Sequence, residues 1–185
     1  MKFCPTYNNK EYNSNDGMLT YVWGPSMWHF LHCMSFNYPV CPSKENKKEY
    51  YGFLLCLQNT LPCGKCRDNL KKNLKVLKFN KKILKNRDTF SKFIYDLHNH
   101  INLMLGRKKY KTYREVRDCY ENFRSRCKKK KSTKKKLKTC KKRKKENGCT
   151  NSLYGVNPQC IINIVPRNKK RKTFKMDKRC IAVRK

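Results

Sequence analysis

Two cysteines three residues apart, Cys63-Gly64-Lys65-Cys66, follow Leu61-Pro62 at the head of a segment with helical spacing. Such a pair can open and close a disulfide, and the N–H groups and dipole of a helix start favour the thiolate that drives exchange. Lys65 adds positive charge between them. Zinc ribbons and thioredoxins use the same spacing. Zinc needs four ligands, and neither a second Cys-x-x-Cys nor a His-x-x-x-His supplies the other two, so no metal is expected. A thioredoxin needs a strand before the motif, whereas residues 47–60 have helical periodicity. Two further groups offer the dithiol a partner. Trp28 and His32 stand at i and i+4, and His98, Ile101, Asn102 and Leu105 fall on neighbouring rows of another helix. Two such faces could grip a flat heteroaromatic system for the dithiol to react with.

The elements that must position these groups are helical. Pro25 suits a helix start, and Trp28, Phe30, Leu31 and Met34 recur until Tyr38-Pro39 stops the run. Ser43 can cap a second helix with a stripe of Tyr50, Phe53, Leu54, Leu57 and Leu61. A third begins near Cys63 and carries Leu70, Leu74 and Leu77. Thr89 can cap a fourth, with Phe90, Phe93, Ile94, Leu97, Ile101 and Leu105 in the 3-4 rhythm and Gly106 as its stop. Thr112 with Glu115 makes a capping box for a short fifth helix ending near Cys127. The expected fold is all-α, a four-helix bundle with a short fifth helix at one end.

Charge marks the boundaries. Residues 1–127 hold 24 Lys/Arg and 10 Asp/Glu, whereas residues 128–185 hold 23 and 2. Within 128–145, 13 of 18 residues are basic, a block that repels itself too strongly to pack and reads as a disordered arm or linker. It suits a polyanion, a nucleic acid included, or a nuclear localisation signal; its few aromatics argue against base stacking. Residues 160–165 form one short apolar run, a strand or a docking segment. The expected layout is an N-terminal arm (1–20), a domain (21–127) and a basic tail (128–185). No stretch reaches the roughly 20 apolar residues of a membrane span, and the start lacks an apolar signal core, so a reducing cytosol or nucleus is expected. Twelve cysteines in that setting are catalytic, metal-binding or buried.

In order and spacing, Trp23-Gly24-Pro25-x-x-Trp28-x-x-Leu31-His32, Tyr38-Pro39, Leu61-Pro62-Cys63-x-x-Cys66, His98-Asn99-x-Ile101-Asn102, Leu105-Gly106-Arg107, Tyr110 and Tyr120 resemble the Erv/Alr family of FAD-linked sulfhydryl oxidases, its short viral members most of all. The resemblance covers about residues 21–127. It implies a helical bundle with FAD in its mouth, usually dimeric, and a reaction in which two thiols and oxygen give a disulfide and hydrogen peroxide. By the same resemblance Cys63 would exchange with the incoming dithiol, and Cys66 would sit against the flavin and pass the electron pair on. Gly24, Trp28, His32 and Tyr38 would line the cofactor from the first helix, and His98, Asn99, Ile101, Asn102 and Leu105 from the fourth. Arg107 would meet the pyrophosphate, and Tyr110 and Tyr120 would pack on the adenine or ribose. Protein dithiols, directly or through a thioredoxin-like carrier, and molecular oxygen are the implied partners. A viral pathway in the host cytoplasm or virion is the implied setting, with nuclear entry open to the basic run.

Some positions depart from the family pattern. Pro25 stands where many relatives have Arg, leaving one cofactor contact to be lost or supplied by Arg114, Arg117 or Arg124. Thr112 falls near the first cysteine of a disulfide common in relatives. Cys119 and Cys127 would lie about 12 Å apart on one straight helix, too far to pair. Cys33 and Cys56 read as core residues. Cys4, Cys41, Cys140, Cys149, Cys160 and Cys180 lie outside the bundle or in loops, and those of the tail could serve as a shuttle. The competing class is a basic nucleic-acid-binding protein with structural or metal-binding cysteines.

Overall fold

The computed structural model describes residues 9–15, 17–107, 111–126, 151–153, 160–162 and 174–176. Helix α1 (Asn9–Tyr12) is a single turn; α2 (Thr20–Phe36), α3 (Lys44–Thr60), α4 (Gly64–Val76) and α5 (Arg87–Met104) build the bundle, and α6 (Tyr113–Glu121) packs against α2 and α5.

The caps explain most boundaries. Ser43 Oγ accepts from the Asn46 N–H and Asn46 Oδ1 accepts from the Ser43 N–H, both at 3.1 Å, which opens α3 as its sequence indicates. Cys63 is itself the N-cap of α4. Thr112 and Glu115 form the capping box of α6. The cap of α5 lies three residues earlier than expected. Asn86 Oδ1 accepts from the Thr89 N–H at 2.9 Å, and Thr89 Oγ1 accepts from the Asn86 N–H, so Thr89 is the last residue of the box and not its first. Helix α2 also starts early, at Thr20, with Pro25 inside it. Near a helix start the missing N–H of proline removes only one intrahelical bond. Helix α5 stops where Gly106 takes φ +67°, a left-handed turn that suits glycine. Helix α6 ends at Glu121, short of Cys127, so the straight-helix separation of Cys119 and Cys127 does not apply.

Leucines and aromatics of α3, α4 and α5 fill the centre, with Leu54, Phe90, Ile94 and Leu97 fully buried. A 3-10 turn (Lys81–Lys85), absent from the sequence reading, drives Leu84 into this core from among lysines. Tyr38 reaches it from the end of α2. It has no exposed surface, its ring meets Tyr50 and Phe90, and its hydroxyl donates to the Leu84 carbonyl at 3.1 Å. Cys56 is exposed and Cys33 half-buried, so neither is a plain core residue.

Two short antiparallel ladders follow: β1 (Ser125–Arg126) with β2 (Asn151–Ser152), and β3 (Cys160–Ile162) with β4 (Phe174–Met176). The apolar run from Cys160 is thus a strand over its first three residues. The basic block 128–145, Tyr110, Cys4, Cys127, Cys140, Cys149 and Cys180 lie outside the described residues. Among the described residues no helix is long and apolar enough to cross a membrane.

Candidate active site

Thr20, Gly24, Trp28, His32 and Phe36 follow one another at four-residue steps, so they form a single ridge along α2. At its start Thr20 Oγ1 lies 3.8 Å from Cys66 Sγ. Trp28 and His32 come about 12 and 18 Å further along. Gly24, buried between them, leaves the ridge low, with only the Thr20 methyl near the place a Cβ would occupy. The dithiol and the aromatic residues therefore stand at two ends of one ridge.

Helix α5 supplies the facing wall. The Trp28 and His98 rings stack with centroids 4.1 Å apart and planes 6° from parallel. His32 Nε2 and His98 Nδ1 are 3.0 Å apart, one donating to the other. Tyr120 of α6 packs on both His32 and Phe36. His29 joins from the next row, 3.3 Å from the Tyr120 hydroxyl and 3.6 Å from Cys33 Sγ, with Phe174 of β4 against its ring. Asn99, Ile101 and Asn102 are half-buried on the last turns of α5, and Leu105 and Arg107 are exposed just beyond.

This polar cluster is held neutral. Burial, then the neighbouring His98 and His29, lowers His32 to about 3. Burial, then the Arg107 charge, lowers His98 to about 4. His32 Nδ1 is buried and has no hydrogen-bond partner among the described residues. A buried imidazole nitrogen without a partner costs about 1–3 kcal/mol unless something satisfies it.

Both shifts are downward from 6.5, so the unfolded chain binds more protons than the folded one between pH 6.5 and about 4. Stability is then full above pH 6.5 and falls as pH drops through that window, with a slope approaching about 1.4 kcal/mol per pH unit for each histidine. Denaturant titrations of the apoprotein at pH 7, 6, 5 and 4 should show this decline. The double variant His32→Asn/His98→Asn should flatten it; an unchanged slope would place the acid sensitivity elsewhere.

At the other end, Cys63 Sγ accepts from the Cys66 N–H at 3.3 Å, the bond expected at a helix start. Cys66 does not behave as that expectation implies. Burial, then the hydrogen bond with Cys63, pushes its thiol up to about 11, outweighing Thr20 and Arg67, which act the other way. Cys63 is the more enclosed of the two, 9% exposed.

The structure thus brings together Trp28, His32, His98 and Tyr120 and places Cys66 of α4 beside Thr20, at the start of the ridge that carries Gly24. It does not bring Tyr38 to this cluster: its ring lies in the core and its hydroxyl donates to the Leu84 carbonyl. Arg124 is also committed: it pairs with Glu121 at 2.8 Å and donates to Phe36 O and Asn37 Oδ1. His29, Phe36, Thr20 and Arg67 escaped the sequence reading. Phe36 and Thr20 were findable by extending the Trp28–His32 step in both directions.

A protein-family model described as the Erv1 / Alr family matches residues 25–117. The chain belongs to this family. Over 99 residues it is 36% identical to a protein of Acanthamoeba polyphaga mimivirus named "Probable FAD-linked sulfhydryl oxidase", covering 54% of this chain and 68% of that one. An African swine fever virus protein named "FAD-linked sulfhydryl oxidase" is 29% identical over 99 residues, covering 54% and 80%. The solved structure of the yeast Erv1 core gives a TM-score of 0.48 at 23% identity, covering 66% of this chain and 92% of that chain.

The role of Tyr38 can be tested directly. Tyr38→Phe should lower unfolding stability by about 1 kcal/mol, the worth of one buried hydrogen bond, and leave cofactor content unchanged. Loss of cofactor in this variant would return Tyr38 to the site.

Proposed function

We propose that this protein is an FAD-dependent thiol oxidase that forms disulfides in protein substrates. The observation that carries this reading is the Trp28–His98 stack, with the unpartnered His32 Nδ1 beside it, on the ridge whose start touches Cys66. Stacked rings and a buried imidazole with a free nitrogen suit a flat, hydrogen-bonding heteroaromatic, so these residues fit FAD. Trp28, His32, His98 and Tyr120 would hold it, with Gly24 giving it room along α2 and Arg107 offering charge to its phosphates. When bound, FAD accepts the electron pair from the dithiol and delivers it to oxygen.

The chain's own chemistry is thiol–disulfide exchange. A substrate thiolate attacks Cys63 Sγ of the Cys63–Cys66 disulfide, that bond breaks, and Cys66 leaves carrying the electron pair. The second substrate thiol, losing its proton, attacks the substrate sulfur of the mixed disulfide and releases Cys63. The balance is two thiols plus oxygen to one disulfide plus hydrogen peroxide.

Finer assignments belong to the same proposal: the 21–127 domain boundaries, a homodimer, a thioredoxin-like carrier, and the setting of a viral pathway in host cytoplasm or virion, which the viral relatives support. Contact of the 128–145 run with a polyanion, and nuclear entry through it, rest on its charge alone. Purified protein should be yellow and consume oxygen with dithiothreitol. A colourless protein, inert after FAD is added yet binding DNA, would replace this reading with the nucleic-acid one.

A further inference from the structure

Cys63, assigned above to meet the substrate, is the more enclosed cysteine, and its cover is the segment before α2. Gly17 makes an isolated antiparallel bridge with Cys63, and the Met18 N–H donates to the Pro62 carbonyl at 2.8 Å. The approach is backbone on backbone. A Cβ on Gly17 would lie 2.4 Å from Pro62 O and 2.8 Å from Cys63 Cα, and one on Gly64 would lie 1.9 Å from Ser14 O. Only glycine on both sides permits it.

Side chains clamp the segment down, Trp23 Nε1 donating to Met18 O at 2.9 Å. Buried Arg67, directly after the motif, donates to Leu61 O on the bundle and to Tyr12 O on the segment, and its guanidinium lies 4.2 Å from the Tyr12 ring centroid. The Tyr12 hydroxyl donates to Asn59 O at 3.0 Å. The cover buries little apolar surface of its own. Helix α1 has no buried residue, and Met18 and Leu19 are 69% and 56% exposed. A segment held by a few polar contacts opens at far lower free energy than the bundle unfolds.

We propose that Tyr12 to Asn15, with Gly17 and Met18, form a displaceable latch over Cys63, seated on the Pro62–Cys63 backbone edge where an extended, cysteine-bearing segment of a protein substrate docks. Gly17 opposite Cys63 lets the latch cover the sulfur without offering it a thiol. When the latch lifts, the Pro62 carbonyl accepts a main-chain N–H of the substrate, the strand-addition mode of peptide recognition. A substrate residue bearing a Cβ rides further from Cys63 Cα than Gly17 does, which leaves the space its sulfur needs. Met18 and Leu19 stand exposed at the lip of the same edge. The docking half rests on the oxidase reading; the latch half does not.

The test uses the full chain, reduced and then alkylated with N-ethylmaleimide, with each cysteine followed by peptide mapping. Exposed Cys41 and Cys56 are internal references, and buried Cys119 reports unfolding. In the wild type Cys63 should react at least about tenfold more slowly than the references. Tyr12→Ala and Gly17→Val should each speed Cys63 by about tenfold while Cys119 stays protected. If Gly17→Val also exposes Cys119, Tyr12→Ala, which trims an exposed ring, decides. Cys63 reacting as fast as Cys56 in the wild type, or unchanged in Tyr12→Ala, would overturn the latch. Turnover then tests docking: Tyr12→Ala should raise oxidation of a reduced, unfolded protein several-fold more than oxidation of dithiothreitol. Faster alkylation with no such gain would keep the latch and overturn the docking edge.

Discussion

Cys66→Ser keeps its flavin and loses turnover by about a thousandfold or more. The two outcomes separate because the ridge on α2 separates the two sites. Thr20, the residue nearest Cys66 Sγ on that helix, lies about 12 Å from Trp28, so a sulfur-to-oxygen change at position 66 leaves the stacked rings undisturbed. The Trp28–His98 stack and the His32 nitrogen remain to hold the cofactor. Serine, however, can neither form a disulfide nor leave from one. Flavin content by visible spectrum and oxygen uptake with dithiothreitol measure the two quantities on one sample.

The same variant tests the direction of the relay. With Cys66 replaced, Cys63 retains a thiol, and an activated substrate disulfide should capture it as a mixed disulfide that no neighbour resolves. Cys63→Ser should form no such species at the same rate. The reverse pattern, with capture at Cys66, would make the half-buried cysteine the outer one and leave Cys63 facing the cofactor. Exposure alone favours that reverse pattern, because Cys63 is the more enclosed. The Gly17 bridge and the Ser14 carbonyl against Gly64 lie over Cys63, and if that cover lifts, trapping and surface area are expected to disagree. The pH dependence adds a check: with the Cys66 thiol pushed up to about 11, transfer of electrons out of the reduced pair should accelerate as pH rises above neutral.

What could be read from the sequence was whatever repeats or caps. The stripes from Phe90 to Leu97 and from Tyr50 to Leu57 gave the core faces of α5 and α3 because burial and helical period coincide there. Ser43 and Thr112 gave helix starts because their capping boxes are local in sequence. Asn86 was missed because Thr89 is also a good cap, and only the fold shows which of the two opens the box. For Tyr38 the sequence leaves the partner open, because the tyrosine of a Tyr-Pro pair looks the same whether its hydroxyl meets a cofactor or, as in this structure, the Leu84 carbonyl. The latch was invisible because its partners are far apart in sequence: Gly17 pairs with Cys63 through backbone across 46 residues, and Tyr12 meets the Arg67 guanidinium across 55, so no local pattern marks either.

His98→Ala should cost the protein its cofactor as well as some stability. His98 contributes twice at the site: its ring covers Trp28 at 4.1 Å, and its Nδ1 completes the only hydrogen bond that His32 makes to another side chain among the described residues. Removing the ring forfeits about 0.5–1.5 kcal/mol of stacking. It also leaves His32 with both nitrogens unpartnered, about 1–3 kcal/mol more. Both losses fall on the protein itself; FAD loses the paired wall that the stack and the His32–His98 bond hold in place, so the yellow colour should be lost on gel filtration. His98→Phe separates the two contributions. It restores a stackable ring but no acceptor or donor, so it should recover part of the stability and part of the flavin content. Tyr38→Phe, in the same bundle but outside the site, is the control that should stay yellow. Full flavin retention by His98→Ala would mean that the stack is a core contact and that the cofactor lies elsewhere along the ridge. Loss in His98→Ala with partial recovery in His98→Phe would tie the neutral histidine pair to the cofactor and not to the bundle.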